Sequence, residues 1–156
     1  MLKKFVPPFL WIVVMQLTGM TLGRLSQANV TDWYAGLSKS PITPPPIVFP
    51  IAWTLLYIAI AVAGYLLWQK RQEPDAKRLL GLYGLQLLLN WSWTPVFFFY
   101  KQVGLALLCI LILTIITFIL IIKSRKDYSY VTYLLTPYLL WLGFASYLNG
   151  YIWFYN

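Results

Sequence analysis

Nineteen consecutive residues, Gly104 to Ile122, contain no charged side chain, and a run of that length and polarity has one stable home. In a bilayer it crosses the hydrocarbon core as a single helix of roughly 20 residues, with its backbone groups bonded internally. Comparable stretches cover about residues 5–25, 47–68, 79–100 and 131–155. Sixty per cent of the 156 residues are hydrophobic and 10% are charged, which leaves too few polar groups to coat a water-soluble surface. The expected fold is therefore an all-α integral membrane protein. It is a single membrane domain over residues 1–156, built as a bundle of five transmembrane helices.

The first stretch has a second reading. Lys3 and Lys4, an apolar run and the small-x-small triplet Ser26-Gln27-Ala28 together describe a secretory signal peptide. The length of the run, and Gln16, Thr18 and Thr21 within it, favour a retained span. Its Gly19-x-x-x-Gly23 spacing suits close helix packing. Together with Gly81 and Gly84 it permits a homodimer without requiring one.

One long segment cannot be a membrane helix. Asp32 to Pro50 holds five prolines, Pro41, Pro44, Pro45, Pro46 and Pro50; each fixes φ, lacks an amide donor and biases its predecessor away from the helical region. This strap also carries Trp33, Tyr34 and Lys39. A flat aromatic surface beside a positive charge suits either an interfacial anchor or the rim of a binding site.

The net charge of +8 arises from 12 Lys and Arg against 4 acids. Lys3, Lys4, Lys70, Arg71, Lys77, Arg78, Lys123, Arg125 and Lys126 fall on one side of the predicted spans, and Arg24, Lys39 and Lys101 on the other. In a bacterial inner membrane, preferred here over a mitochondrial outer membrane, this bias places the N-terminus in the cytoplasm and the strap outside. Anionic lipid headgroups are the expected partners of the excess charge, and nucleic acid is not.

All four acids (Asp32, Glu73, Asp75, Asp127) fall in predicted connections, no Lys or Arg lies mid-span, histidine is absent and Cys109 is the one cysteine. Ion-driven pumping needs ionisable groups at membrane depth, and hydrolytic or metal-assisted chemistry needs nucleophile–base pairs or ligand clusters. Neither is provided for. The spans carry aromatic rings with a few neutral amides: Trp53, Tyr57, Ile60 and Gly64 on the second; Gln86, Asn90, Trp93 and Phe97 on the third; and Pro137, Trp141, Ala145 and Asn149, at every fourth position, on the fifth. Such faces fit a flat, mostly apolar ligand, and equally fit helix packing with interhelical hydrogen bonds.

Four ordered blocks narrow the choice. They are Trp33-Tyr34-Ala35-Gly36-Leu37-x-Lys39 with Pro44-Pro45; Trp53-x-x-Leu56-Tyr57; Gly81-Leu82-Tyr83 with Gln86-Leu87-x-Leu89-Asn90-Trp91-x-Trp93 and Phe97-Phe98; and Pro137-Tyr138-Leu139-x-Trp141-Leu142-x-Phe144-Ala145 with Leu148-Asn149. In these the chain resembles the tryptophan-rich sensory protein family (TspO/MBR), also called the translocator protein or peripheral benzodiazepine receptor family. The resemblance implies five helices around a pocket, with the Pro/Trp-rich first loop folding over it as a lid. It implies binding of tetrapyrroles such as protoporphyrin IX or heme-type rings, of PK11195-type isoquinoline-carboxamide drugs and benzodiazepines, and, in animal members, of cholesterol.

Carried over by motif, the ligand-binding residues are Trp53, Tyr57, Asn90, Trp93, Trp141 and Ala145, under a lid holding Trp33, Tyr34, Leu37 and Pro45. Asn149 completes the stripe, and Lys39 or Arg24 would meet the propionates of a porphyrin at the mouth. The implied function is a membrane receptor or sensor linked to porphyrin and stress regulation, with no required cofactor and no catalytic residue. One alternative is a light-dependent enzyme degrading the bound porphyrin, for which Trp53 and Trp141 would be the electron donors. Another is a tetrapyrrole or sterol transporter.

The chain departs from the family in places. It has Lys39-Ser40-Pro41-Ile42 where the family places an indole, Leu105 where some members have Trp, and Cys109 where some have an acid. After Leu148 and Tyr151 it has no basic residue, which argues against cholesterol.

Overall fold

The computed structural model describes residues 6–156, so Lys3 and Lys4 of the charge count lie outside the described residues. Five helices follow one another: α1 Val6–Thr31, α2 Val48–Gln69, α3 Pro74–Thr94, α4 Val103–Ser124 and α5 Ser129–Tyr155. A π-helical turn, Pro95–Phe99, extends α3, and a short 3-10 turn, Tyr34–Gly36, lies in the strap.

Two helix limits differ from the sequence expectation. α1 continues to Thr31, because Arg24 to Thr31 contains no Pro or Gly, and the hydroxyls of Ser26 and Thr31 bond back to the carbonyls of Leu22 and Ala28. Hydrophobicity marks where the bilayer ends, whereas backbone propensity decides where a helix ends. α3 starts at Pro74 rather than Leu79, so the second half of the charged run 69–78 is helical and not a turn. Proline is tolerated at a first helical position, and Asp75 in the first turn complements the helix dipole. At the far end Pro95, lacking an amide donor, opens the α-helical ladder into the π turn.

Four of the five helices, α1, α2, α4 and α5, are each long and apolar enough to cross a membrane. α3 opens on charged residues, but residues 79–99, with its π turn, supply about 30 Å of apolar length. Large apolar side chains such as Leu17, Leu55, Leu88, Leu108, Ile115 and Leu140 lie exposed on the outer faces, as a lipid-facing surface requires. These spans are those of a multi-pass membrane protein.

Around the bundle the neighbours are α1–α2, α2–α5, α5–α4 and α4–α3, and α3 returns to α1. The three-residue link Tyr100-Lys101-Gln102 between the π turn and α4 forces those segments antiparallel and adjacent, as its length predicts. Two glycines allow close approach. A Cβ on Gly19 would lie 2.4 Å from the ring of Tyr57, and one on Gly64 would lie 2.3 Å from the hydroxyl of Tyr83. The second contact lets Tyr83 donate to the carbonyl of Ile60 at 2.8 Å.

At the opposite end from the strap, Glu73 before α3 and Tyr128 before α5 join two connections. The Tyr128 hydroxyl donates to the Glu73 carboxylate at 2.6 Å, and Lys70 pairs with the same carboxylate at 3.1 Å. The Tyr128 bond and then Lys70 hold Glu73 below its ordinary value, and the carboxylate raises Tyr128 to about 12.

Candidate functional site

The candidate residues fall into two compartments. In the inner one α2 contributes Trp53 and Tyr57, one turn apart on the same face, with ring centroids 5.4 Å apart. α5 contributes Trp141, perpendicular to Trp53 at 6.5 Å, and Tyr138, 6.4 Å from Trp53. Ala145 packs against the same cluster. The rings fill the space between the helices by contacting one another.

A chain of hydrogen bonds ties this compartment together. Tyr57 Oη donates to Asn90 Oδ1 at 2.9 Å, Asn90 Nδ2 donates to Tyr138 Oη at 2.7 Å, and Tyr138 Oη donates to Gln86 Oε1 at 3.0 Å. Gln86 and Asn90 are one turn apart on α3, so their amides hold the Tyr138 hydroxyl between them. All four side chains are buried. Four buried groups meet no partner within the described residues: Gln86 Nε2 and Trp141 Nε1 here, with Trp91 Nε1 and Thr117 Oγ1.

The outer compartment lies under the strap. Trp33 meets Phe97 edge to face at 5.7 Å, Tyr34 meets Phe98 at 5.5 Å, and Leu37 packs with them. Trp93 stacks on Phe97 at 5.1 Å and also packs against the main buried core of the bundle, so it borders both hydrophobic clusters. Its Nε1 donates to Asn149 Oδ1 at 3.1 Å, while Asn149 Nδ2 donates to the carbonyl of Val103 at 3.0 Å. Asn149 therefore fixes the orientation of the shared indole. Burial holds the Tyr34 phenol above its ordinary value and so neutral.

Beyond Leu37 the strap crosses to α5 and is fastened there. The Asn156 side chain accepts from the amide of Ser38 at 2.8 Å and donates to its carbonyl at 3.0 Å, and Ser40 Oγ lies 2.9 Å from Tyr147 Oη. Lys39 faces its own chain: its ammonium donates to the carbonyls of Tyr34, Ala35 and Leu37 at 2.9, 3.0 and 3.0 Å. Pro45 is exposed, and its carbonyl receives the amide of Val48 at the start of α2. Ile42 is 60% exposed, turned away from both clusters.

Two residues missing from the motif-derived set are central. Tyr138 is fully buried, whereas Pro137, assigned to the stripe, is exposed. The buried face of α5 runs Val131, Leu135, Tyr138 and Leu142, in steps of four, three and four, and resumes at Leu148, Asn149 and Ile152. A step of four at every position drifts by roughly 40° each time, since the helix has 3.6 residues per turn. Gln86, noticed only as a neighbour of Asn90, ends the hydrogen-bond chain. A 3.6-residue period through polar residues would have found both.

Two surface grooves lie elsewhere. One of about 430 Å³ runs between α4 and α5 past Ile115, Phe118 and Gly143, and another follows the start of α2 past Pro50 and Thr54. None of the candidate residues lines either groove.

The model of the TspO/MBR family matches residues 11–154. The chain is 37% identical over 155 residues to the Translocator protein of Homo sapiens, covering 94% of this chain and 90% of that one. It is 40% identical over 128 residues to the Tryptophan-rich protein TspO of Archaeoglobus fulgidus, covering 82% of each. It is 33% identical over 129 residues to the Tryptophan-rich sensory protein of Cereibacter sphaeroides, covering 83% and 78%.

Proposed function

The chain belongs to the TspO/MBR family, and from that premise we propose that it is a membrane receptor for planar, largely apolar ligands, tetrapyrroles such as protoporphyrin IX first among them. The observation that carries this reading is a pair of aromatic groups, Trp33, Phe97 and Trp93 under the strap and Trp53, Tyr57 and Trp141 within the bundle, with Trp93, Trp53 and Trp141 all packed against the same buried core. Both groups offer aromatic faces, each worth roughly 0.5–1.5 kcal/mol beyond area burial. A macrocycle enters by replacing ring–ring contacts with ring–ligand contacts. The buried donors Gln86 Nε2 and Trp141 Nε1 are suited to acceptor atoms on a ligand, which also accommodates carbonyl-bearing isoquinoline-carboxamide and benzodiazepine-type drugs. The strap, fastened at Ser38 and Ser40, acts as the lid.

Titrating the purified protein with protoporphyrin tests this. Tryptophan fluorescence is quenched saturably in the wild type, and the affinity falls in Trp53→Phe and in Trp141→Phe. Unchanged affinity in both variants would remove the inner compartment from the site.

A second reading is favoured by the 6.5 Å approach of Trp53 and Trp141, which places two oxidisable indoles together beside any ligand held there. On that reading the protein degrades its porphyrin in light, with dissolved dioxygen as the oxidant and the indoles as electron donors to the photo-excited ring. Illumination of the complex separates the two: a receptor leaves the porphyrin spectrum intact, and an enzyme yields a new absorbing species that is lost with either indole.

A further inference from the structure

We infer that the outer compartment recognises a carboxylate carried by its planar ligand, and that the cation meeting it is Lys101. The inference rests on the receptor reading above and names the ligand class more narrowly. Three cations belong to this side by sequence: Arg24, Lys39 and Lys101. An ammonium has three protons to donate, and Lys39 gives its three to the carbonyls of Tyr34, Ala35 and Leu37. It holds the strap's turn in shape and has no donor left for a ligand.

Lys101 is placed differently. Its ammonium stands 5.9 Å from the centroid of the Trp33 ring, at the outer limit of a cation–π contact of about 6 Å. Among the described residues it makes neither a hydrogen bond nor an ion pair; the ion pairs there are Lys70–Glu73 and Arg78–Asp75. Its backbone has φ of 55° and is the one non-glycine with positive φ among the described residues. Glycine adopts that left-handed conformation without strain, whereas a residue with a Cβ does so at a cost. What lysine adds at this position is its side chain, and the turn directs that side chain to Trp33.

From Trp33 the rings continue through Phe97 to Trp93. The ammonium therefore stands at the outer end of the ring path, within reach of an acidic group on the edge of a flat molecule inserted along it. A carboxylate there exchanges a weak cation–π contact for a charge-assisted hydrogen bond. Arg24, exposed on α1, is the remaining candidate and serves as the comparison.

The test titrates the full-length protein, in neutral-lipid nanodiscs, with protoporphyrin, which bears two propionates, and with its dimethyl ester, which bears none. Lys101→Gln is expected to weaken the diacid roughly three- to fivefold, the range of an accessible ion pair, and to leave the ester unchanged. Lys101→Arg restores the diacid. Lys39→Gln weakens both compounds by the same factor, because it loosens the strap. Equal losses of acid and ester in Lys101→Gln, or an acid-specific loss in Arg24→Gln or Lys39→Gln instead, overturn the assignment of Lys101 alone. If neither compound quenches the wild type, the receptor reading falls and the assignment falls with it.

Discussion

Tyr57 donates its phenol proton to Asn90 Oδ1 across 2.9 Å and so joins α2 to α3, and Asn90 in turn donates to Tyr138 of α5 at 2.7 Å. One amide therefore links three helices at membrane depth, where water is scarce as an alternative partner. Replacing Asn90 with Ala strips the Tyr57 hydroxyl of its acceptor and the Tyr138 hydroxyl of a donor. A loss of about 1–3 kcal/mol is expected. Tyr57→Phe removes one donor and leaves Asn90 bonded to Tyr138, so its cost is roughly 0.5–1.5 kcal/mol. Unfolding of both variants in one detergent measures the order; equal losses would deny Asn90 its role as the junction.

Gly64 and Gly23 predict opposite responses to the same substitution. A methyl group at position 64 would lie 2.3 Å from Tyr83 and 2.6 Å from Trp11, and one at position 23 would meet nothing within 4 Å. Gly64→Ala should destabilise by about 1–3 kcal/mol through overpacking. Gly23→Ala should stabilise by up to about 1 kcal/mol through helix propensity. Thermal midpoints of the two variants in the same micelle decide the matter.

The tie between Glu73 and Tyr128 gives the stability a pH signature outside the membrane. Glu73 is lowered from 4.5 by Tyr128 first and Lys70 second. Its contribution is therefore complete above the ordinary carboxylate value and is lost as the pH falls through the lowered one. Tyr128 is raised from 10.0 to about 12 by the same bond, so its contribution is complete below pH 10 and is lost as the pH rises through about 12. Tyr128→Phe should flatten both limbs of a plot of thermal midpoint against pH. Limbs of unchanged steepness in the variant would assign them to other groups.

Trp33 and Ile42 test the lid. Trp33 contacts Phe97 and lies under Lys101, whereas Ile42 is 60% exposed. Trp33→Ala should weaken porphyrin binding by about 0.5–1.5 kcal/mol, and Ile42→Ala should change it little. The reverse order, read by fluorescence titration, would return the strap to the role of an interfacial anchor.

The membrane class, the existence of each span and the family were written in local features: an uncharged run at 104–122, a proline-dense segment at 41–50, and ordered blocks around Trp53, Asn90 and Trp141. The aromatic faces of α2 and α3 were also legible, since Tyr57 and Gly64, and Gln86 and Asn90, lie on the buried sides of their helices. The ends of α1 and α3 were less so. Apolar content reports the thickness of the bilayer, and polar helical turns at Arg24–Thr31 and Pro74–Arg78 extend past it.

Three things were decided only in the folded molecule. α5 lies between α2 and α4, and this brings Trp141 to Trp53 across a sequence separation that no local pattern encodes. Tyr138 rather than Pro137 faces the core, because the true helical period, not a repeat of four, sets which side chains point inward. Lys39 turns back to cap its own strap while Lys101, in a left-handed turn, is left beside Trp33. In each case the deciding term is a contact between segments distant in the chain, or a side-chain direction fixed by backbone geometry. Sequence alone supplies the charges and rings, and the tertiary fold decides which of them meet.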